Sequence, residues 1–173
     1  MKITDNFLPN FEFISLQSTM YSPEFYWSYT EGIVDGQDDD FQFVHLFYTP
    51  KDGGQPCSDY WGNMLNLVKK MKIQTLYRIK ANLRTKTPNI IESTPYHNDM
   101  QHLNLNKNEN HWTTSIFYMN TNNGYTKFED GTKVESVANR LVSFPAYMNH
   151  TGTSCTNINN RIVINFNYMK SPT

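Results

Sequence analysis

After residue 73, apolar and polar residues alternate in short runs, and turn-forming residues separate the runs. LYRIKANL, STPYHND, WTTSIFYMN, GYTKFED, TKVES, RLVSF and RIVINFNY are seven such segments in under a hundred residues. A two-residue period suits a strand with one buried face. Gly124, Asp130, Gly131 and Pro145 fall between the runs, where turns need them. Short strands at this density predict an antiparallel sandwich or barrel. On RIVINFNY, Arg161, Val163 and Asn165 share one face, and Ile162, Ile164 and Phe166 share the other.

Upstream, the two periodicities mix. KITDNFL and FQFVHLFY read as strands, and residues 10–20 read as a short helix. DGQDDD is an acidic turn. TPKDGGQPCSD is a loop, after which Ser58 or Asp59 can cap a helix reaching Lys72, with Trp61, Leu65 and Val68 on its apolar stripe. The expectation is one domain over residues 1–173. Residues 1–72 form an α/β cover whose helices pack on a sheet, and residues 73–169 form a jelly-roll-like core. The class is mainly β, of α+β type.

Composition sharpens this picture. The chain is 38% hydrophobic and 14% aromatic, enough apolar area for a packed core, and no run is long enough to span a membrane. A net charge of −1 argues against a general nucleic-acid binder. Residues 69–86 nevertheless hold seven cations and no acid. The plainer reading is a helix end with lysines near its dipole, then a strand with a solvated face. The alternative is that Arg78, Lys80, Asn82 and Arg84, which alternate onto one face, meet an anionic group. Asp5 and Asn6 interrupt the apolar stretch a signal peptide needs, so a reducing cytoplasm is expected. Cys57 and Cys155 fit no metal or redox spacing and read as free thiols.

Candidate chemistry begins at HND. His97 and Asp99 lie two apart and, on a strand, point the same way towards one ion. By itself His-x-Asp turns up by chance in about one such chain in four. His150, where Pro145 has ended a strand and the chain turns, supplies a third ligand. Two histidines and a carboxylate on one face of an octahedral ion leave three positions open. A zinc site from His97, His102 and a third ligand competes, and His111 is a further histidine. His45 reads as a packed or surface side chain. Arg161 follows His150 by eleven positions and opens a strand, so the turn can return it beside the triad. Its planar fork suits a buried carboxylate.

YRIKANL, HND, TSIFYMN, GYTKFEDG, NRLVSFP, HTG and RIVINF, taken in order, resemble the 2-oxoglutarate and Fe(II)-dependent dioxygenases of the prolyl-hydroxylase-like group, particularly small phage-encoded members. ITDNFL adds a looser likeness. The resemblance implies a double-stranded β-helix, with Fe(II) held by His97, Asp99 and His150 and 2-oxoglutarate held by Arg161. It also implies co-substrate contacts from Tyr118 and Asn82, ascorbate as a possible reductant, and a host-cytoplasm location if the gene is phage-borne. Hydroxylation of a peptidyl prolyl or other amino-acid side chain, or of a small molecule, is the implied reaction, with release of succinate and carbon dioxide. Two departures stand out. Relatives often show Gly-Gly-x-Thr-x-Phe where this chain has a single glycine before Tyr125, and collagen-type enzymes carry lysine where Arg161 stands. Residues 100–111, polar and aperiodic, read either as a lid over the site or as a disordered surface hairpin loop. The rival readings are a cupin-like metalloprotein that ignores 2-oxoglutarate and a non-enzymatic jelly-roll module.

Overall fold

The computed structural model describes residues 1–33, 40–93, 95–103 and 111–170. Most of the segment read as a lid or a surface loop, residues 104–110, lies outside them. In chain order the elements are β1 (Lys2–Thr4), α1 (Asn10–Met20), β2 (Ser28–Glu31), β3 (Phe41–Thr49), β4 (Gln55–Pro56), α2 (Leu65–Lys70), β5 (Ile73–Thr85) and β6 (Trp112–Tyr118). There follow β7 (Tyr125–Phe128), β8 (Lys133–Glu135), β9 (Arg140–Pro145), β10 (His150–Gly152) and β11 (Asn160–Lys170). Eight strands form one antiparallel sheet in the order β1-β9-β6-β11-β5-β3-β2, with β4 attached to β3, and β10-β7-β8 form a second. The result is the mainly β, double-stranded β-helix expected, with both helices laid on the outer face of the large sheet.

The alternation on β11 explains the layering. Ile162, Ile164 and Phe166 join the core beneath the helices, while Val163 joins a smaller cluster with Phe128, Val134 and Phe144 between the sheets. α1 begins after Pro9, carries Glu12 in its first turn where the helix dipole favours an acid, and buries Phe13, Leu16 and Met20 at helical spacing.

Two expectations need correction. The second helix buries Met64, Leu67 and Met71 rather than a stripe of Trp61, Leu65 and Val68, and Leu65 is half exposed. The cause is a 3₁₀ turn over Trp61–Met64. Three residues per turn instead of 3.6 shift the phase of the face. STPYHND is not a strand either. Its segment meets the chain around β10 at two isolated bridges, Glu92 to Thr153 and His97 to His150, rather than along a continuous ladder. Five steps on one side against three on the other bow the chain outward, and Pro95 has no N–H to give a ladder.

Of the two readings offered for His45, packed or surface-facing, the structure shows the packed one. Its Nδ1 donates to the Tyr26 carbonyl (2.9 Å), Nε2 meets the Ser58 hydroxyl (2.7 Å), and Phe25 and Phe47 lie against the ring. Burial pushes its pKa below the ordinary histidine value. As pH falls past about 6.5 the unfolded chain therefore takes a proton that the folded chain refuses. Stability should decline from there downward, read as a falling urea midpoint between pH 7.5 and 5.5. His45→Phe, which suits the surrounding rings, should flatten that decline, and an unchanged slope would refute the assignment.

Candidate functional site

The bowed segment brings the three candidate ligands together. His97 and His150 are partners in an isolated bridge, with the His97 amide donating to the His150 carbonyl (3.1 Å) and the reverse bond at 2.8 Å. Their rings lie 5.3 Å apart. Asp99 stands two residues on, and its carboxylate Oδ2 is 4.0 Å from His150 Nε2. The intervening neighbours point away: Asn98 Nδ2 donates to Asn149 Oδ1 (3.2 Å). One donor atom from each of His97, Asp99 and His150 lies within 4.8 Å of the others. No other such group of histidine, cysteine or acid occurs among the described residues.

The donor chemistry suits a metal. His150 Nδ1 donates to the Met148 carbonyl (3.2 Å), which fixes the tautomer and turns the Nε2 lone pair towards Asp99. Phe144 and Phe128 pack the ring in place. His97 Nδ1 is buried with no hydrogen-bond partner. Burial opposes the Asp99 charge, yet Arg78 foremost, then His150, His97 and Lys80, hold its carboxyl well below the usual carboxylate range. Burial pushes the His150 imidazole below its ordinary value, against the pull of Asp99. A neutral histidine beside an ionised acid is the state that binds a cation.

Arg161 faces the same cavity from the start of β11. It is 4% exposed. Nε donates to Ser136 Oγ (2.8 Å), one terminal nitrogen donates to Thr126 Oγ1 (3.2 Å), and the guanidinium lies 5.7 Å from the Tyr118 ring centroid. Among the described residues no carboxylate pairs with it. Burial lowers its pKa, with Arg84, its register partner on β5, pushing the same way. Arginine nevertheless stays charged at any ordinary pH. A desolvated cation without a counter-ion is costly by itself, and an anion entering the cavity offsets that cost.

The cationic run on β5 does not form a solvated face. Lys80, Asn82 and Arg84 line the cavity, and Arg78 reaches Asp99 (3.0 Å). The sheet's other face is already covered by α1 and α2, so this face turns inward, where Asp99 and Asp40 balance Arg78 and Arg84. Asn82 Oδ1 is buried without a donor. Tyr118 stands behind the cavity wall: its hydroxyl donates to Thr126 Oγ1 (2.8 Å), and Arg161 lies over its ring. His111 lies in a separate surface groove with Lys2 and Pro145. The His102 side chain, the other candidate zinc ligand, lies outside those the structure describes.

No protein-family model matches the sequence, and neither does any curated protein. Solved structures do match. A prolyl-4-hydroxylase from Pseudomonas putida aligns over 98% of this chain and 92% of its own at 14% identity, with a TM-score of 0.57. The chain has the fold of the 2-oxoglutarate/Fe(II) oxygenases. A Trichoplax adhaerens prolyl hydroxylase, solved with a fragment of the hypoxia-inducible-factor oxygen degradation domain, shares 13% identity over 98% of this chain and 83% of its own, with a TM-score of 0.60. The α-ketoglutarate-dependent carbocyclase SnoK of nogalamycin biosynthesis reaches a TM-score of 0.66 at 12% identity, over 97% and 78% of the two chains. One oxygenase fold thus carries different reactions in these relatives.

Sequence reasoning missed Thr126, Ser136 and Gly124, which seat Arg161, and Asn167, which touches Asp99. A signal for Asn167 was available: it continues the inward face of Arg161, Val163 and Asn165 by one more step of two.

Proposed function

We propose that the chain is an Fe(II)- and 2-oxoglutarate-dependent dioxygenase that hydroxylates an amino-acid side chain in a peptide, or a related small molecule. The observation that carries this reading is the joint one. A buried Arg161 without a carboxylate partner among the described residues faces the same cavity as His97, Asp99 and His150. A cupin-like metal protein would account for the triad and leave Arg161 as an uncompensated buried charge. A purely structural module would account for neither.

In this reading His97, Asp99 and His150 hold Fe(II), and Arg161 grips the far carboxylate of 2-oxoglutarate through its planar fork. With dioxygen, the bound metal and co-substrate supply an oxidant able to break an unactivated C–H bond, releasing succinate and carbon dioxide. The protein's own contribution is placement. The Met148 carbonyl orients His150, Ser136 and Thr126 hold the Arg161 fork with Tyr118 beneath it, and Asn82 faces the co-substrate. Phe128 and Phe144 form a dry wall beside His150. Peptide as substrate is supported by the relative solved with a peptide fragment. Two free cysteines suit a reducing cytoplasm.

Adding Fe(II) and 2-oxoglutarate to metal-free protein without oxygen should produce a visible charge-transfer band that His97→Ala abolishes. A wild-type protein with no band would sink the reading. Coupled succinate formation over a panel of peptides and small molecules then identifies the substrate.

A further inference from the structure

Asp99 is gripped at both oxygens by side chains that the triad does not explain. Arg78 donates from a terminal nitrogen to Oδ1 (3.0 Å), and Asn167 Nδ2 donates to Oδ2 (3.2 Å). The two grips are themselves tied, because Arg78 Nε donates to Asn167 Oδ1 (3.2 Å). Asn167 is fully buried and also donates to Thr114 Oγ1 (3.1 Å). Thr114, Asn167 and Arg78 are register partners across the adjacent strands β6, β11 and β5, so the brace is built into the sheet. The β11–β5 register shifts immediately after Asn167, between Asn167 and Tyr168. Irregularities of this kind re-aim side chains where a site needs them.

We infer that Arg78 and Asn167 are positioning residues that make Asp99 a one-oxygen ligand: Arg78 withholds Oδ1, and Oδ2, which faces His150, is the oxygen offered to the metal. This rests on the reading of His97, Asp99 and His150 as metal ligands. A carboxylate with both oxygens free can chelate an ion through both and occupy a coordination position that the co-substrate needs. The charge-assisted bond from Arg78 removes that option, and Asn167 fixes the carboxylate plane. An ordinary buried ion pair would stabilise the fold but leave the metal's ligand field and its remaining positions unchanged.

The test uses Co(II) alone and then Co(II) with 2-oxoglutarate, on the whole chain, with visible absorption and calorimetry as readouts. Wild-type protein should show Co(II) bands that His97→Ala removes. In Arg78→Leu the bands should persist with altered position and intensity, and affinity of the Co(II) protein for 2-oxoglutarate should fall by about tenfold or more. Arg78→Lys, which keeps a cationic donor to Oδ1, should restore most of both. Asn167→Ala keeps the ion pair and removes the brace, so it should give a smaller change of the same kind. It also serves as the deciding variant should Arg78→Leu fail to fold. Wild-type bands and co-substrate affinity in either folded variant would overturn the inference while leaving the metal site standing. Absence of His97-dependent bands in the wild type would overturn both.

Discussion

Arg161→Ala should raise the 2-oxoglutarate concentration needed for half-saturation of the anaerobic Fe(II) complex by about 10²- to 10³-fold. Removing one partner of a buried, hydrogen-bonded charge pair costs roughly 2–5 kcal/mol, and each 1.4 kcal/mol is about tenfold. Ser136 and Thr126 take the Nε and one terminal nitrogen, while the other terminal nitrogen lies on the side of Gly152, where an added Cβ would come within 3.5 Å. The two N–H groups of that nitrogen, and the second N–H of the nitrogen that meets Thr126, remain for a ligand, so the fork can still take a carboxylate. Arg161→Lys keeps the charge and loses the fork, so a loss of about tenfold is expected. Fe(II) binding without 2-oxoglutarate should be unaffected in both. The melting temperature should also hold, because the guanidinium has no acidic partner among the described residues whose loss would weaken the fold. Titration of the charge-transfer band checks the first claim, and thermal unfolding without ligand checks the last. Wild-type half-saturation in Arg161→Ala would place the co-substrate elsewhere.

Local pattern made part of this site readable and non-local register hid the rest. The first helix matches residues 10–20 because its apolar spacing and Pro9 are local signals. The inward set on β11 was readable for the same reason: strand alternation needs no knowledge of the partner. His97, Asp99, His150 and Arg161 could be grouped because few other polar residues offer ligands at turn-length spacing, and the fold brings all four to one cavity. On β5 the alternation was equally plain, yet its direction was not. Both faces of that strand are covered, one by helices and one by the second sheet, so four polar residues in alternation looked like a solvated face. Only the 21-residue separation closed by Arg78 and Asp99 reveals where the face points. The phase of the second helix was lost to a 3₁₀ turn, which apolar spacing counted at 3.6 residues per turn misplaces.

Gly124→Ala should destabilise the protein by about 3 kcal/mol, lowering the melting temperature by roughly 6–12 °C, and weaken 2-oxoglutarate binding at the same time. A Cβ at this position would lie 2.6 Å from the Ser154 carbonyl oxygen, 2.7 Å from Arg161 Cδ and 2.9 Å from Asn122 Oδ1. The first of these is backbone and cannot swing aside. The second is the stem of the Arg161 side chain, the proposed co-substrate clamp. The neighbours on either side face no such limit, since Asn123 reaches Thr156 and Tyr125 reaches Glu92. The pairing with Arg161→Ala separates the causes. Truncating Arg161 removes one of the three clashes, so Gly124→Ala should cost less stability in the Arg161→Ala background than in the wild type. Thermal unfolding of the two single variants and the double reads that difference directly. Strictly additive losses would mean that the methyl group acts only through the Ser154 backbone and Asn122, and that Arg161 is seated independently of Gly124.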